Sequence, residues 1–135
     1  QVGHESMGGR YTREIWGPTN AQRGYEGRAD LGNTEPGDGS RFRGRGLIQI
    51  TGRHNTLQAR AALKPGMDLD AFLGWLESRD GAAVSAAWWW HGRGLNAMAD
   101  ADQFEAITRR INGGLNGYAD RGARWNAARK ALGLA

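Results

Sequence analysis

The sequence contains no cysteine, and this absence limits how the fold can be held together. None of its 135 residues is Cys, and only three are Pro. Neither a disulfide framework nor a thiolate metal site can therefore stabilise the fold. No stretch approaches the roughly 20 consecutive apolar residues that a membrane-spanning helix needs. We therefore expect neither membrane insertion nor a cysteine-based scaffold.

Lysine is also nearly absent, although the chain is basic. The formal net charge is +4 and the isoelectric point is about 10.1. Only Lys64 and Lys130 are lysines, and the other sixteen cationic residues are arginines. Arginine favours bidentate contacts with carboxylates and phosphates. A basic surface of this kind suits an anionic polymer, which leaves nucleic acid, teichoic acid and the acidic peptides of peptidoglycan open.

Length and patterning predict one mainly α-helical domain. Hydrophobic residues make up 39% of the chain and charged residues 24%, and the length suits a single core. Residues 10–46 are rich in glycine and turn residues and are predicted to form a long irregular segment. The other patterns predict a short extended piece over 44–51 and helices over 51–63, 68–77, 80–92, 102–111 and 118–132. The first three of these helices are predicted to begin at Thr51, at Asp68 or Asp70, and at Asp80. We therefore expect residues 1–135 to form a single domain. Because the first residues have the pattern of a helix tail, we also expect the N-terminal part of this domain to be missing.

Two glutamates stand near the start of the chain, on either side of a Gly-Gly pair. On one continuous helix Glu5 and Glu14 would point to opposite faces, because nine residues at about 100° each make roughly two and a half turns. Gly8 and Gly9, however, favour a helix stop at which the chain can reverse. A helix that ends near Ser6 would let Glu14 face Glu5 across a gap. Acid/base hydrolysis requires such a pair of carboxylates.

A second cluster lies in GRGLIQITGRHN, residues 44–55. If this stretch is extended, Gln49 and Thr51 lie on the same face, because side chains in a strand alternate with a period of two. Together with Asn55 they offer short neutral groups that suit sugar hydroxyls and N-acetyl groups. A glycine-rich hairpin followed by a helix that Thr51 caps is an equally good interpretation of the same residues.

A third cluster, INGGLNGYADRGARW, covers residues 111–125. Asn112 precedes two glycines at a predicted helix end, and Arg121 lies on the last helix. The spacing leaves open whether Arg121 pairs with a structural acid such as Glu105 or reaches a catalytic carboxylate.

Other aromatic and imidazole side chains give weaker signals. Three adjacent tryptophans, residues 88–90, span about 200° of a helix, so one or two are expected in the core and the third beside a groove. His4, His54 and His91 lack the spacing of a zinc site. We therefore predict no metal and no cofactor.

In their order along the chain, the three clusters resemble glycoside hydrolase family 19, which contains plant-type and bacterial chitinases and many bacteriophage and prophage endolysins. HESMGG resembles the family's His-Glu-Ser/Thr-Gly-Gly segment, and GRGLIQITGRHN resembles its Gly-Arg-Gly-x-Ile-Gln-Leu-Ser/Thr stretch. INGGLNG with the following Asp-Arg pair resembles its Ile-Asn-Gly-Gly segment. The resemblance runs from Gly3 to about Trp125 and is greatest to the phage-type members.

The resemblance implies a lysozyme-like, two-lobed domain with a substrate cleft and an inverting mechanism. It implies that Glu5 is the general acid, that Glu14 is the general base and that Thr51 holds the attacking water. The residues implied to contact substrate are Gln49, Asn55, Asn112 and Arg121. Asn116 stands where plant-type members have a glutamate, so no carboxylate at that position can tune Glu5.

Two enzymatic functions fit the resemblance, hydrolysis of peptidoglycan and hydrolysis of chitin. The basic charge, small size and lack of cysteine favour peptidoglycan. A nucleic-acid-binding module is an alternative from another class, but the arginines spread from Arg10 to Arg129 without a basic run. A wall-binding domain without activity is a further alternative, against which Glu5 and Glu14 argue. For an endolysin we expect a monomer that stays in the cytoplasm of its bacterial host until lysis and does not bind nucleic acid.

Overall fold

A computed structural model of the chain is mainly α-helical, as predicted. The structure describes residues 1–134. Its helices are α1 (Val2–Glu5), α2 (Asn20–Arg23), α3 (Asp38–Arg41), α4 (Arg53–Leu63), α5 (Leu69–Glu77), α6 (Arg79–Gly92), α7 (Leu95–Asp100), α8 (Phe104–Asn112) and α9 (Tyr118–Ala131), with a 3₁₀ helix over Ala29–Leu31. Within residues 1–134, no helix combines the length and the apolar character that crossing a membrane would need.

The five helices predicted from residue 51 onward are all present, but not all of their caps are as predicted. Asp68 caps α5 as expected, since its side chain accepts hydrogen bonds from two backbone amides. Ser78, and not Asp80, caps α6. The prediction that Thr51 caps α4 is wrong, because the N-cap is Gly52, whose φ of 92° suits glycine.

The prediction that residues 44–51 form an extended piece is wrong. Arg45 pairs with Ile50 in an antiparallel bridge, and the residues between them form a turn in which Gln49 has a φ of 56°. Arg45 also bridges to Arg13, which brings the segment that follows α1 alongside this hairpin. The hairpin interpretation of GRGLIQIT is therefore correct. Residues 10–46 are otherwise irregular apart from short helical turns.

The main hydrophobic core lies between the hairpin and α4, α5 and α6. Its buried residues are Ile48, Ile50, Ala59, Phe72, Leu76 and Ala86. Helices α5 and α6 approach closely at Gly81, where a Cβ atom would lie 1.9 Å from the carbonyl oxygen of Trp75. Trp88 and Trp89 pack against this core. Trp90 instead lines an apolar cavity beside α1, α8 and α9, so two of the three tryptophans join the core as expected.

The N-terminal helix α1 packs against the C-terminal helix α9. Around this contact Phe104 of α8 stacks on Trp125 of α9, with ring centroids 5.4 Å apart, and contacts Tyr118 at 5.5 Å. Helix α7, which the sequence patterns did not predict, packs against α8. Helices α1 and α9 therefore pack together, and α1 carries the first of the two glutamates.

Candidate active site

Glu5 is the last residue of α1, and the turn after it is tightly hydrogen-bonded. Ser6 is buried, and its hydroxyl donates to the carbonyl of Val2 at 2.8 Å while it accepts from the backbone N–H of Gly9 at 2.8 Å. The next three residues, 7–9, all have positive φ, which reverses the chain where the Gly-Gly pair predicted a stop. Glu5 is therefore held on a helix end and not on a long solvated helix face.

Arg121 of α9 pairs with Glu5. Its Nη2 donates to Glu5 Oε1 at 2.5 Å, and the side chain of Arg121 is only 2% exposed, against 22% for Glu5. This answers the question that the spacing left open, because Glu105 pairs with Arg109 instead. A buried guanidinium with a fixed fork of donors orients the carboxylate that it contacts.

The other donors of Arg121 are also used inside the protein. Nη1 donates to Gln1 Oε1 at 2.7 Å, and Nε donates to the backbone carbonyl of Asn116 at 3.0 Å. Asn112 holds that same carbonyl through its Nδ2 at 3.1 Å and accepts from the N–H of Gly114 at 2.8 Å. Arg121 is thus buried behind Glu5 with these donors bonded inside the protein, and its predicted contact with substrate stays a prediction. Asn112 shapes the loop that supplies the acceptor for Arg121.

A second set of contacts joins the start of the chain to α9. His4 Nδ1 lies 2.7 Å from Asp120 Oδ2, and Arg124 Nε donates to the same oxygen at 2.8 Å. These neighbours, Arg124 first and His4 second, lower the pKa of Asp120. The imidazole lies directly over Gly117, where a Cβ atom would be 2.1 Å from His4 Cε1. These contacts, with that of Arg121, fix α1 on α9.

Glu14 lies in the extended residues that pair with the hairpin. Its backbone N–H donates to the carbonyl of Gly44 at 2.8 Å, and its Oε2 accepts from the N–H of Gly44 at 3.0 Å. Its Oε1 accepts from Gln22 Nε2 at 3.0 Å. The carboxylate is thus bound by neutral donors, in contrast to the cationic partner of Glu5.

Gln22 and Tyr25 are site residues that the sequence patterns missed. Gln22 is buried and completes a capping box with Thr19 at the start of α2, which fixes the amide that reaches Glu14. Burial and the neighbouring Glu14 carboxylate raise the pKa of the Tyr25 hydroxyl. The Thr-x-x-Gln spacing of a capping box was the available signal, and it predicts a helix start but no contact with Glu14.

The neutral residues of the second cluster come together around Gly44. A Cβ atom on Gly44 would lie 2.5 Å from Gln49 Oε1 and 3.2 Å from Thr51 Oγ1. The hydroxyl of Thr51 donates to the carbonyl of Gln49 at 3.0 Å, and Asn55 Nδ2 donates to the carbonyl of Thr51 at 2.8 Å. All three side chains line a cavity of about 240 Å³, which Trp88, Trp89 and Arg93 also line.

The seven residues predicted for the site thus fall into two separate groups. Glu14 shares Gly44 with the group of Gln49, Thr51 and Asn55. Glu5 belongs with Arg121 and Asn112, and in the described part of the chain no hydrogen-bond partner is common to both glutamates. The described residues also include no cluster of three or more His, Asp or Glu side chains suited to a metal ion. The two carboxylates therefore lie in different surroundings, with a buried cation beside Glu5 and neutral donors around Glu14.

The chain is similar to a protein of Haemophilus influenzae described as a glycosyl hydrolase family 19 domain-containing protein. The two are 40% identical over 101 residues, which cover 75% of this chain and 48% of the relative. The chain therefore spans about half the length of this curated relative. No family model matches the chain. The similarity supports glycoside hydrolase family 19, as the three motifs predict, and it does not distinguish the endolysins from the rest of the family.

Proposed function

We propose that the protein is a glycosidase that hydrolyses β-1,4 bonds between N-acetylated amino sugars, with peptidoglycan as its substrate. The observation that carries the proposal is the separate fixing of the two carboxylates. Glu5 is oriented by the buried Arg121, and Glu14 is held by Gly44 beside a cavity with neutral hydrogen-bonding walls. The similarity to a family 19 protein supports the general class of glycosidase.

The proposed mechanism is a single displacement with inversion. Protonated Glu5 gives its proton to the glycosidic oxygen, and ionised Glu14 removes a proton from a water molecule that attacks the opposite face of the sugar. Thr51, which lies close to Gly44, helps to hold that water. Inverting enzymes place the two carboxyl groups about 6.5–9.5 Å apart, which leaves room for the water between them.

Chitin is the second candidate substrate, and the neutral lining of the cavity is compatible with it. The side chains of Gln49, Thr51 and Asn55 that line the cavity are neutral, and they suit the N-acetyl and hydroxyl groups of either polymer. Peptidoglycan stays first because its acidic peptides suit the net charge of +4.

Binding of nucleic acid is less well supported. Eight of the sixteen arginines form ion pairs with carboxylates within residues 1–134, which reduces the positive charge available to phosphates. These are Arg13, Arg28, Arg41, Arg45, Arg53, Arg109, Arg121 and Arg124.

As part of the same proposal, the protein is an endolysin that acts as a monomer on the cell wall after a period in the cytoplasm of its bacterial host. Mass spectrometry of the products from purified peptidoglycan and from chitin oligomers tests the substrate. Muropeptides with a newly cleaved glycan bond are expected from peptidoglycan, with slow cleavage of chitin oligomers. If the protein cleaves the two polymers with equal efficiency, the chitinase interpretation replaces the endolysin interpretation. If it cleaves neither polymer, the proposed function is contradicted.

A further inference from the structure

Arg93, which follows α6, lines the same cavity as Gln49, Thr51 and Asn55. The central carbon of its guanidinium lies 3.7 Å from the centroid of the Trp89 ring. A guanidinium that stacks on an aromatic face keeps its N–H donors in its own plane, where they can reach a further partner. The stacking therefore fixes the cation at the cavity and leaves its hydrogen-bonding groups for a ligand.

Among residues 1–134, Arg93 forms no ion pair with a carboxylate. None of the ion pairs among residues 1–134 includes Arg93 or the nearby Arg110 of α8. Burial, followed by the charge of Arg110, lowers the pKa of Arg93. Two cations that stand close together without an anion repel each other, and an anion bound near them would relieve that repulsion.

We propose that Arg93, with support from Arg110, binds a carboxylate of the substrate and so selects glycans that carry acidic groups. The inference rests on the proposed function, because it takes the cavity to be a sugar-binding site. Peptidoglycan carries lactyl and peptide carboxylates along its glycan, whereas chitin is uncharged. The neutral side chains of Gln49, Thr51 and Asn55 can bind what the two polymers share, and Arg93 supplies a group that separates them.

A simpler role for Arg93 is to stabilise α6, since a cation at a helix C-terminus interacts favourably with the helix dipole. Such a role predicts a lower melting temperature for Arg93→Ala and the same change in affinity for charged and uncharged ligands. Selection of a carboxylate predicts a change in affinity for the charged ligand alone. The ratio of two affinities therefore separates the roles.

The test measures binding of peptidoglycan tetrasaccharide-peptides by calorimetry, before and after their carboxylates are amidated with carbodiimide and methylamine. Binding is measured in a Glu14→Gln background, so that the ligand is not cleaved. We expect this parent to prefer the native ligand over the amidated one. Arg93→Ala should weaken binding of the native ligand roughly fivefold, the size of a partly exposed ion pair, and remove the preference. Arg79→Ala is the matched control, because Arg79 is exposed at the other end of α6, and it should keep the preference.

Three results would overturn the inference. The first is an equal loss of affinity for the native and the amidated ligand in Arg93→Ala, and the second is unchanged binding of both. The third is that Arg93→Ala weakens binding of a DNA duplex but leaves muropeptide binding unchanged, because Arg93 would then be a phosphate-binding residue. If the parent protein binds neither form of the glycan, the proposed function itself fails. If it binds both forms equally, the proposed function stands and only the inference about Arg93 fails.

Discussion

Arg121 and Glu5 lie 116 positions apart in the sequence and are joined by a hydrogen bond of 2.5 Å. The guanidinium is buried, whereas the carboxylate is partly exposed. One member of the pair is therefore shielded from solvent while the other remains accessible from outside. In the proposed mechanism this geometry suits a carboxyl group that must meet a substrate in a fixed orientation.

Glu5→Gln should reduce hydrolysis by about 10²–10⁴-fold, because the amide cannot donate the proton that the leaving oxygen needs. It should also lower the free energy of unfolding by about 1–3 kcal/mol, since Arg121 loses a charged partner. Turnover on peptidoglycan and urea denaturation measure the two effects. Glu105→Gln is the control, because Glu105 forms an exposed pair with Arg109 and its loss should change neither quantity appreciably. Near-full turnover of Glu5→Gln would contradict the role of the acid.

Glu14→Gln should also lose most of the activity, because an amide cannot take a proton from the attacking water. Azide, a small anion that needs no such base, should restore part of the rate on an activated substrate. NMR of the products immediately after cleavage should show an inverted anomer. A retained anomer would show instead that one carboxylate acts as a nucleophile.

Gly44→Ala should damage the site, because the added methyl group would lie 2.5 Å from Gln49 Oε1 and displace the cluster that surrounds it. The substitution also lies next to Glu14, whose carboxylate accepts from the N–H of Gly44. Activity should fall and the midpoint of thermal unfolding should decrease. Gly74→Ala in α5 is the control, because apart from the neighbouring residues and the backbone of its own helix no atom lies within 4 Å of the added Cβ, and it should stabilise the helix by about 0.5–1 kcal/mol. Equal activities of the two variants would argue against a role for the Gly44 turn.

The ion pair between Asp38 and Arg53 predicts a pH dependence of stability. Arg53 donates to both carboxylate oxygens of Asp38, at 2.6 and 2.7 Å, and holds the pKa of this buried carboxyl below its usual range. The pKa of an Asp side chain in the unfolded chain is about 3.9. The ion pair therefore contributes fully to the stability of the folded protein above that pH, and this contribution is lost as the pH falls through the lower pKa of the folded state.

Denaturation of Asp38→Asn between about pH 2 and 6 checks this sign. The variant should be less stable than the parent protein near neutral pH, and its stability should fall less steeply in acid. Asp100→Asn is the control, because Asp100 is exposed and forms no ion pair within residues 1–134. The prediction would be contradicted if the free energy of unfolding fell with decreasing pH at the same rate in Asp38→Asn and in the parent protein.

Local signals in the sequence were enough for the helical class and for most helix positions. Helices α5, α6, α8 and α9 follow from short-range patterns of apolar residues and from stop residues such as Gly113 and Gly133. Helix α7 was missed because it has only six residues and no side-chain cap. The predicted cap of α4 was wrong because Gly52, with its positive φ, takes the N-cap position. The predicted cap of α6 was wrong because Ser78 and Asp80 both suit an N-cap and backbone conformation decides between them.

The sequence by itself determined which side chains are available for the site: two glutamates separated by glycines, and a run of neutral polar residues after a Gly-x-Gly. Only the tertiary structure decided their partners. Arg121 pairs with Glu5 and not with Glu105. In the same way, Gln22 contacts Glu14 and Arg93 stacks on Trp89. Each of these contacts depends on how distant segments pack together, which local sequence patterns do not predict. Helix periodicity is set by bonds over a few residues, whereas the partner of a charged side chain is set by which elements the core brings together.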